Sequence, residues 1–199
     1  MSNALRKKRK ILKPLGYNNM SLEMDRKEAI LKADHKNIIN NVQFTLRNLT
    51  FYLLYWKFGF EKRKLGNFHK YMDEYDIKHW GNTDALRETV KKLKEQTHID
   101  LQEYARKIPV KEKAKLAGAV EFRNSDEIHI MTFSVRTGYI SYLAAVLTIL
   151  KQRYRFSEIK LKEFLNHMHF HINCFCTDVF TDEMVMECLE EETGYHLLK

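Results

Sequence analysis

Leu53-Leu54-Tyr55-Trp56-Lys57-Phe58-Gly59-Phe60-Glu61-Lys62-Arg63-Lys64-Leu65-Gly66-Asn67-Phe68 is the stretch whose reading decides the fold. Upstream of it, and through its first six residues, positions 42–58 carry Leu, Phe, Tyr and Trp on nearly every side of a helical projection. A helix that is apolar all round is a buried, central one. Phe58-Gly59-Phe60 interrupts it. Beyond the break, Leu65, Phe68, Tyr71, Met72 and Tyr75 fall on one helical face and predict a second helix over 61–76. After a loop at Trp80-Gly81-Asn82, Thr83 or Asp84 can cap a third helix running through Leu86, Val90 and Leu93 to about Thr97.

The same pattern returns 96 residues later. Leu54, Phe60, Lys64, Leu65, Phe68, Met72, Leu93, Glu95, Thr97 and Leu101 each have an identical residue at that offset, from Leu150 to Leu197. Composition alone would give about three or four such matches over the span. The identities fall mainly on packing positions, and conservative pairs such as Leu53/Ile149, Lys57/Arg153 and Phe58/Tyr154 lie between them. A duplicated packing unit leaves that trace. The predicted fold is therefore all-α: a tandem duplication of a three-helix unit, packed around a shared core through the apolar helices Val42–Phe58 and Ile140–Tyr154, with an approximate two-fold axis between them. The predicted organisation is a flexible basic arm at 1–20, a first helical unit at 21–101, a connector at 102–139 and a second helical unit at 140–199. Ser21, followed by Glu23 and Asp25, suits a helix start. Pro109 breaks the connector and Val110–Val120 suits a short helix. Glu127–Val135 alternates in part like a strand, yet no partner strand is visible elsewhere, so a helix leading into Ile140 is preferred.

Composition agrees. Among 199 residues only two are Pro and seven Gly, too few punctuators for a many-stranded β architecture. Three cysteines, Cys174, Cys176 and Cys188, form no disulfide framework and fit a reducing, cytoplasmic location. No apolar h-region follows the basic start, and the apolar stretch Tyr139–Leu150 is too short to span a bilayer, so no membrane association is expected.

The turn and the basic segment after it resemble small helical proteins encoded by phages and prophages of Gram-positive bacteria. In those, an apolar helix ends in a Phe-Gly-Phe turn and a basic pair plus leucine opens the next helix. The resemblance covers about 55 residues of the first copy. The second copy keeps Phe156, Lys160, Leu161 and Phe164 but has Arg155 for Gly59 and Glu158-Ile159 for Lys62-Arg63. The resemblance implies an origin on a mobile element and a role in regulation, replication or host takeover. It implies no catalytic residue.

The net charge is +8 and it is uneven: the first 40 residues are basic and the last 60 are acidic. Clustered cations attract phosphate through counterion release. The candidate nucleic-acid contacts are Arg6, Lys7, Lys8, Arg9 and Lys10 on the arm, and Lys57, Lys62, Arg63, Lys64 and Lys70 around the start of the second helix. For each set the plain alternative is a solvated surface. The tight turn between two helices also suits helix-turn-helix geometry, although the first helix is too apolar to lie against DNA. Glu183, Glu187, Glu190, Glu191 and Glu192 on the last helix could pair with a basic partner or serve solubility.

His167, His171 and Cys174 would share a helical face, and zinc accepts such ligands. However, His167 and His171 stand where the first copy has Tyr71 and Tyr75, on the stripe with Phe164 and Met168, so a core role is preferred and no metal or other cofactor is expected. There is no phosphate-cradling GxxxxGK[ST] loop, no GxGxxG and no HExxH. Glu158-Ile159-Lys160 has the spacing of a nuclease E-x-K pair but falls at a helix start. The expected function is non-enzymatic: an accessory protein of a phage or mobile element that associates with DNA or RNA as a regulator. The alternative is a protein–protein interaction module that acts on a host protein.

Overall fold

The computed structural model describes residues 34–79, 83–118 and 125–197. It divides the chain into two compact units, Met1–Asn37 and Ile38–Lys199. Of the first unit only residues 34–37 are described, and they are helical. The basic arm, the helix start at Ser21 and the Trp80 loop lie outside the described residues.

The described residues are all-helical. Residues 34–56 form α1; then follow α2 (Lys62–His79), α3 (Thr83–Thr97), α4 (Leu101–Lys107), α5 (Val110–Leu116), α6 (Ser125–Tyr154), α7 (Glu158–Cys176) and α8 (Asp182–Thr193). The third helix has the bounds its cap and stripe predict. Residues 127–135 are helical and belong to a single 30-residue helix that continues through the apolar stretch. Among the described residues α6 alone is long and apolar enough to cross a membrane, and 67% of its apolar window is buried inside the protein. It is thus the axis of the core, with α2, α3, α4, α5 and α7 packed on it. The short α4 begins at Asp100, whose carboxylate accepts the backbone N–H groups of Gln102 (2.9 Å) and Glu103 (3.3 Å).

Helix α1 closes against α6 at Gly138. A Cβ there would lie 3.2 Å from Val42 Cβ and 3.3 Å from the Ile39 carbonyl oxygen, so the absent side chain lets the two backbones approach. One turn along, Gln43 Nε2 donates to Ser141 Oγ at 3.1 Å. Polar groups on the inner side of α1 are tied to the start of α8: Thr45 Oγ1 and Asn48 Nδ2 donate to the two oxygens of Asp182, at 3.0 and 2.8 Å. Helix α7 buries Leu161, Phe164, Leu165, Met168 and Ile172, a stripe at helical spacing.

Several local geometries recur 96 residues apart. Gly59 and Arg155 both take left-handed backbone, φ +64° and +55°. After each, a phenylalanine N–H reaches back six residues: Phe60 to the Leu54 carbonyl at 2.9 Å, Phe156 to that of Leu150 at 3.1 Å. At the far end of each half, Thr97 Oγ1 donates to the Leu93 carbonyl and Thr193 Oγ1 to that of Leu189, at 2.6 and 2.5 Å. The next residues, His98 and Gly194, are again left-handed, φ +54° and +63°.

Candidate nucleic-acid interface

Helix α1 ends where Gly59 turns left-handed, and the reach-back bond folds Phe60 under the turn until it is 4% exposed. The chain restarts as α2 at Lys62. The equivalent event at Tyr154–Phe156 starts α7, capped by Ser157 Oγ. The two turns pack on one another. Phe58 meets Phe156 with ring centroids 5.1 Å apart, Phe60 meets Tyr154 at 4.8 Å, and Phe60 meets Phe156 edge-to-face at 6.3 Å. Such aromatic contacts contribute about 0.5–1.5 kcal/mol each beyond their buried area. They bring the start of α2 beside the start of α7, so two helix N-termini, each with partial positive charge, lie close together.

The cations proposed from sequence separate into three kinds. Lys57 is neutralised across the halves by Glu163, Nζ to Oε1 3.0 Å. Lys62 reaches the end of α8, where its Nζ would stand 3.5 Å from a Cβ on Gly194, close to the negative carbonyl end of that helix. Arg63, Lys64 and Lys70 are exposed along α2 with no carboxylate partner among the described residues; Lys64 Nζ lies over the Phe60 ring at 5.7 Å. Arg6 to Lys10 lie outside the described residues.

The packed turns add cations that sequence reasoning did not assign to the interface. Lys160 Nζ lies over Phe156 at 5.7 Å, repeating the placement of Lys64 over Phe60. The Arg153 guanidinium sits 4.9 Å over the Tyr71 ring, and Arg155 is exposed on the second turn. None of the three has a carboxylate partner among the described residues. Glu158 is already engaged, by Lys162 at 2.6 Å and His98 at 3.2 Å, and these partners hold its carboxyl below the usual carboxylate range. The signal was present in the sequence as the offset pairs Lys57/Arg153 and Lys64/Lys160, but only contact between the turns makes one surface of them.

The histidines and cysteines of the last quarter disperse. His171 is buried and stands edge-on to Tyr52 and Trp56, at 5.6 and 5.7 Å, while His167 meets Trp56 at 6.0 Å. His169 shares a 2.8 Å hydrogen bond with the Tyr139 hydroxyl, and burial pushes its pKa down to about 4. The Cys176 thiol donates to the Glu112 carbonyl at 3.5 Å, and burial pushes it up to about 12, so it stays protonated. Among the described residues no group of three or more His, Cys, Asp or Glu side chains is arranged to hold a metal. Comparison of the chain with protein-family models, with curated proteins and with solved structures gave no match.

Proposed function

We propose that the chain is a non-enzymatic accessory protein of a phage or mobile element that associates with nucleic acid as a regulator inside the cell, and that the end where the two turns meet is its phosphate-contacting face. One observation carries this reading: Arg63, Lys64, Arg153, Arg155 and Lys160, drawn from both halves, surround the packed turns with no carboxylate partner among the described residues. Unpaired cations grouped at two helix N-termini suit a polyanion better than they suit stability, since exposed like charges repel. The test is a gel shift at two salt concentrations. Binding should weaken steeply with salt, and Arg63→Glu with Lys64→Glu, or Arg155→Glu with Lys160→Glu, should each cut affinity by about tenfold or more with the melting temperature little changed. Equal affinity in wild type and both variants would sink the assignment.

The fold is read here as a tandem duplication about a pseudo-two-fold axis. Reciprocal contacts support it. Phe58–Phe164 and Tyr154–Phe68 are the same contact with the halves exchanged, at 6.1 and 6.2 Å. Tyr55 donates to Glu192 while Lys151, its counterpart, donates to the carbonyl of Gln96, the counterpart of Glu192. Val42 with Gly138, and Phe60 with Phe156, are contacts between counterparts, as points on an axis require.

A second reading, docking to a host protein, draws on Trp56, Ile159 and Phe170. These are 55%, 79% and 61% exposed and line one open apolar groove. It predicts a pull-down partner that survives nuclease treatment and is lost in Trp56→Ala.

A further inference from the structure

We infer that the cleft between α2, α3 and the last turns of α6 is a binding site for a phosphomonoester of nucleotide size, either a free nucleotide or the phosphorylated end of a strand held on the basic face. The second of these sources rests on the function proposed above; the first does not. The cleft has a volume of about 340 Å³ and includes Tyr71, Lys92, Gln96, Lys151, Gln152 and Arg153 in its lining. That size matches small-ligand sites.

This cleft differs in its lining from its counterpart 96 residues away. There, Gln152 is replaced by Trp56 and Thr148 by Tyr52. Those two rings stack in parallel with centroids 6.4 Å apart and stand edge-on to His171, itself in the place of Tyr75; Trp56, His167 and Phe170, in the places of Gln152, Tyr71 and Glu74, line the open apolar groove in place of a polar cleft. The cations are neutralised or absent as well: Lys57, in the place of Arg153, is paired with Glu163, and Cys188 stands for Lys92. On the α2–α3 side the same two positions are the smaller, polar Thr148 and Gln152. Lys151 Nζ spends one donor on the Gln96 carbonyl at 2.9 Å, which orients it without neutralising it. Arg153 is braced on the Tyr71 ring rather than on a carboxylate. Lys92 is paired with Glu88 at 2.6 Å, and Glu74 contributes a carboxylate to the lining.

Two uncompensated cations facing one polar cleft suit a dianion, and the guanidinium offers paired donors that match phosphate oxygens. Gln96, Gln152 and Thr148 supply neutral donors and acceptors for a sugar or base. Glu74 disfavours a ligand that carries anionic charge throughout. A monoester with one charged end and a neutral, hydrogen-bonding body fits all of these.

The experiment uses the full chain. AMP is titrated by calorimetry, with inorganic phosphate as competitor, and in parallel a 5′-phosphorylated and a 5′-hydroxyl single strand of one sequence are compared by gel shift. Saturable AMP binding is expected, weakened about tenfold or more in Arg153→Gln. Gln152→Trp puts the counterpart's bulky apolar ring in place of a polar lining residue and keeps every cation, so it should abolish AMP binding even if the first variant is destabilised. The strand with the 5′-phosphate should bind more tightly than its partner, and that preference should vanish in Gln152→Trp. AMP affinity equal in wild type and Gln152→Trp would overturn the site. So would strand binding with no AMP binding and no preference for the 5′-phosphate, an outcome that leaves the basic face standing. AMP binding without any strand binding would instead remove the basic face and keep the cleft as a free-nucleotide site.

Discussion

The turns at 58–60 and 154–156 share one backbone path and differ in what they ask of it. The first places glycine at the left-handed position, where no Cβ resists; the second places an arginine there, at a strain of about 1–2 kcal/mol. At the other end of each half the roles are reversed, with His98 left-handed in the first and Gly194 in the second. In each of these two pairs of positions one member is glycine and the other a strained residue, while the phenylalanine and threonine bonds beside them repeat. The comparison teaches that core geometry and surface chemistry have separated in this chain. Buried positions such as Leu54/Leu150, Leu65/Leu161 and Phe68/Phe164 repeat at the 96-residue offset; the residues that border the cleft do not.

The largest expected effect tests the shared core. Phe68 and Phe164 are both fully buried and make the exchanged contacts with Tyr154 and Phe58. Phe68→Ala and Phe164→Ala should each cost about 3–5 kcal/mol in urea denaturation. The two values should agree within about 1 kcal/mol, and a wider gap would show that the halves pack differently. Next in size is the α1–α6 contact. Gly138→Val should cost about 1–3 kcal/mol by overpacking against Val42 and the Ile39 carbonyl. Adding Val42→Gly should recover much of that loss, because the pair then exchanges roles; recovery would fail if the contact were not between equivalent positions.

Acid should separate the halves at similar scale. Position 73 is an exposed aspartate, whereas its counterpart, His169, is a half-buried imidazole with its pKa lowered to about 4. A lowered histidine pKa means that the unfolded chain takes up the proton first. Stability is therefore intact above about pH 6.5 and is lost as pH falls from there to about 4, by about 2 kcal/mol from this group after discounting for its partial exposure. His171, lowered by burial and by His167, adds loss in the same direction. In His169→Gln the acid limb of the stability–pH curve should shrink. The smallest effects are at the turns. Arg155→Gly should stabilise by about 0.5–1 kcal/mol while weakening nucleic-acid binding, and Gly59→Ala should destabilise by about 1 kcal/mol, both measured by thermal melts.

Long, strongly patterned elements were legible from sequence: the all-round apolar α1, the stripe of α2, and α3 from Thr83 to Thr97. Helix α4 was not read from the sequence, which suggested only a connector there, because a seven-residue helix is held by the Asp100 cap and by packing on α6 rather than by its own periodicity. The full length of α6 was also unclear, since Ser125–Thr137 mixes polar residues with Ile128 and Phe133, which are solvent-exposed. Of the site, Arg63, Lys64 and Lys70 could be picked out by their charge alone. Arg153, Arg155 and Lys160 could not, because their membership depends on contact between segments 96 residues apart. The cleft was the least visible, since it is made by the small size of Thr148 and Gln152, and missing bulk leaves no motif.

The close approach of Val42 to Gly138 also sets a schedule. During synthesis at about 5–20 residues per second, the surface of α1 around Val42 is made about 5–20 s before the glycine that receives it. Asp182, which accepts hydrogen bonds from Thr45 and Asn48, follows later still. Helices α4 and α5, by contrast, both pack on α6, which follows closely after them in the chain. Near-neighbour contacts form first, so pulsed hydrogen exchange on refolding should protect α4–α6 before the Val42 end of α1. On the ribosome, Phe51 of α1 can already pack on Phe68 and His69 of α2, whereas the face around Val42 waits, and holdase chaperones have that interval in which to bind it.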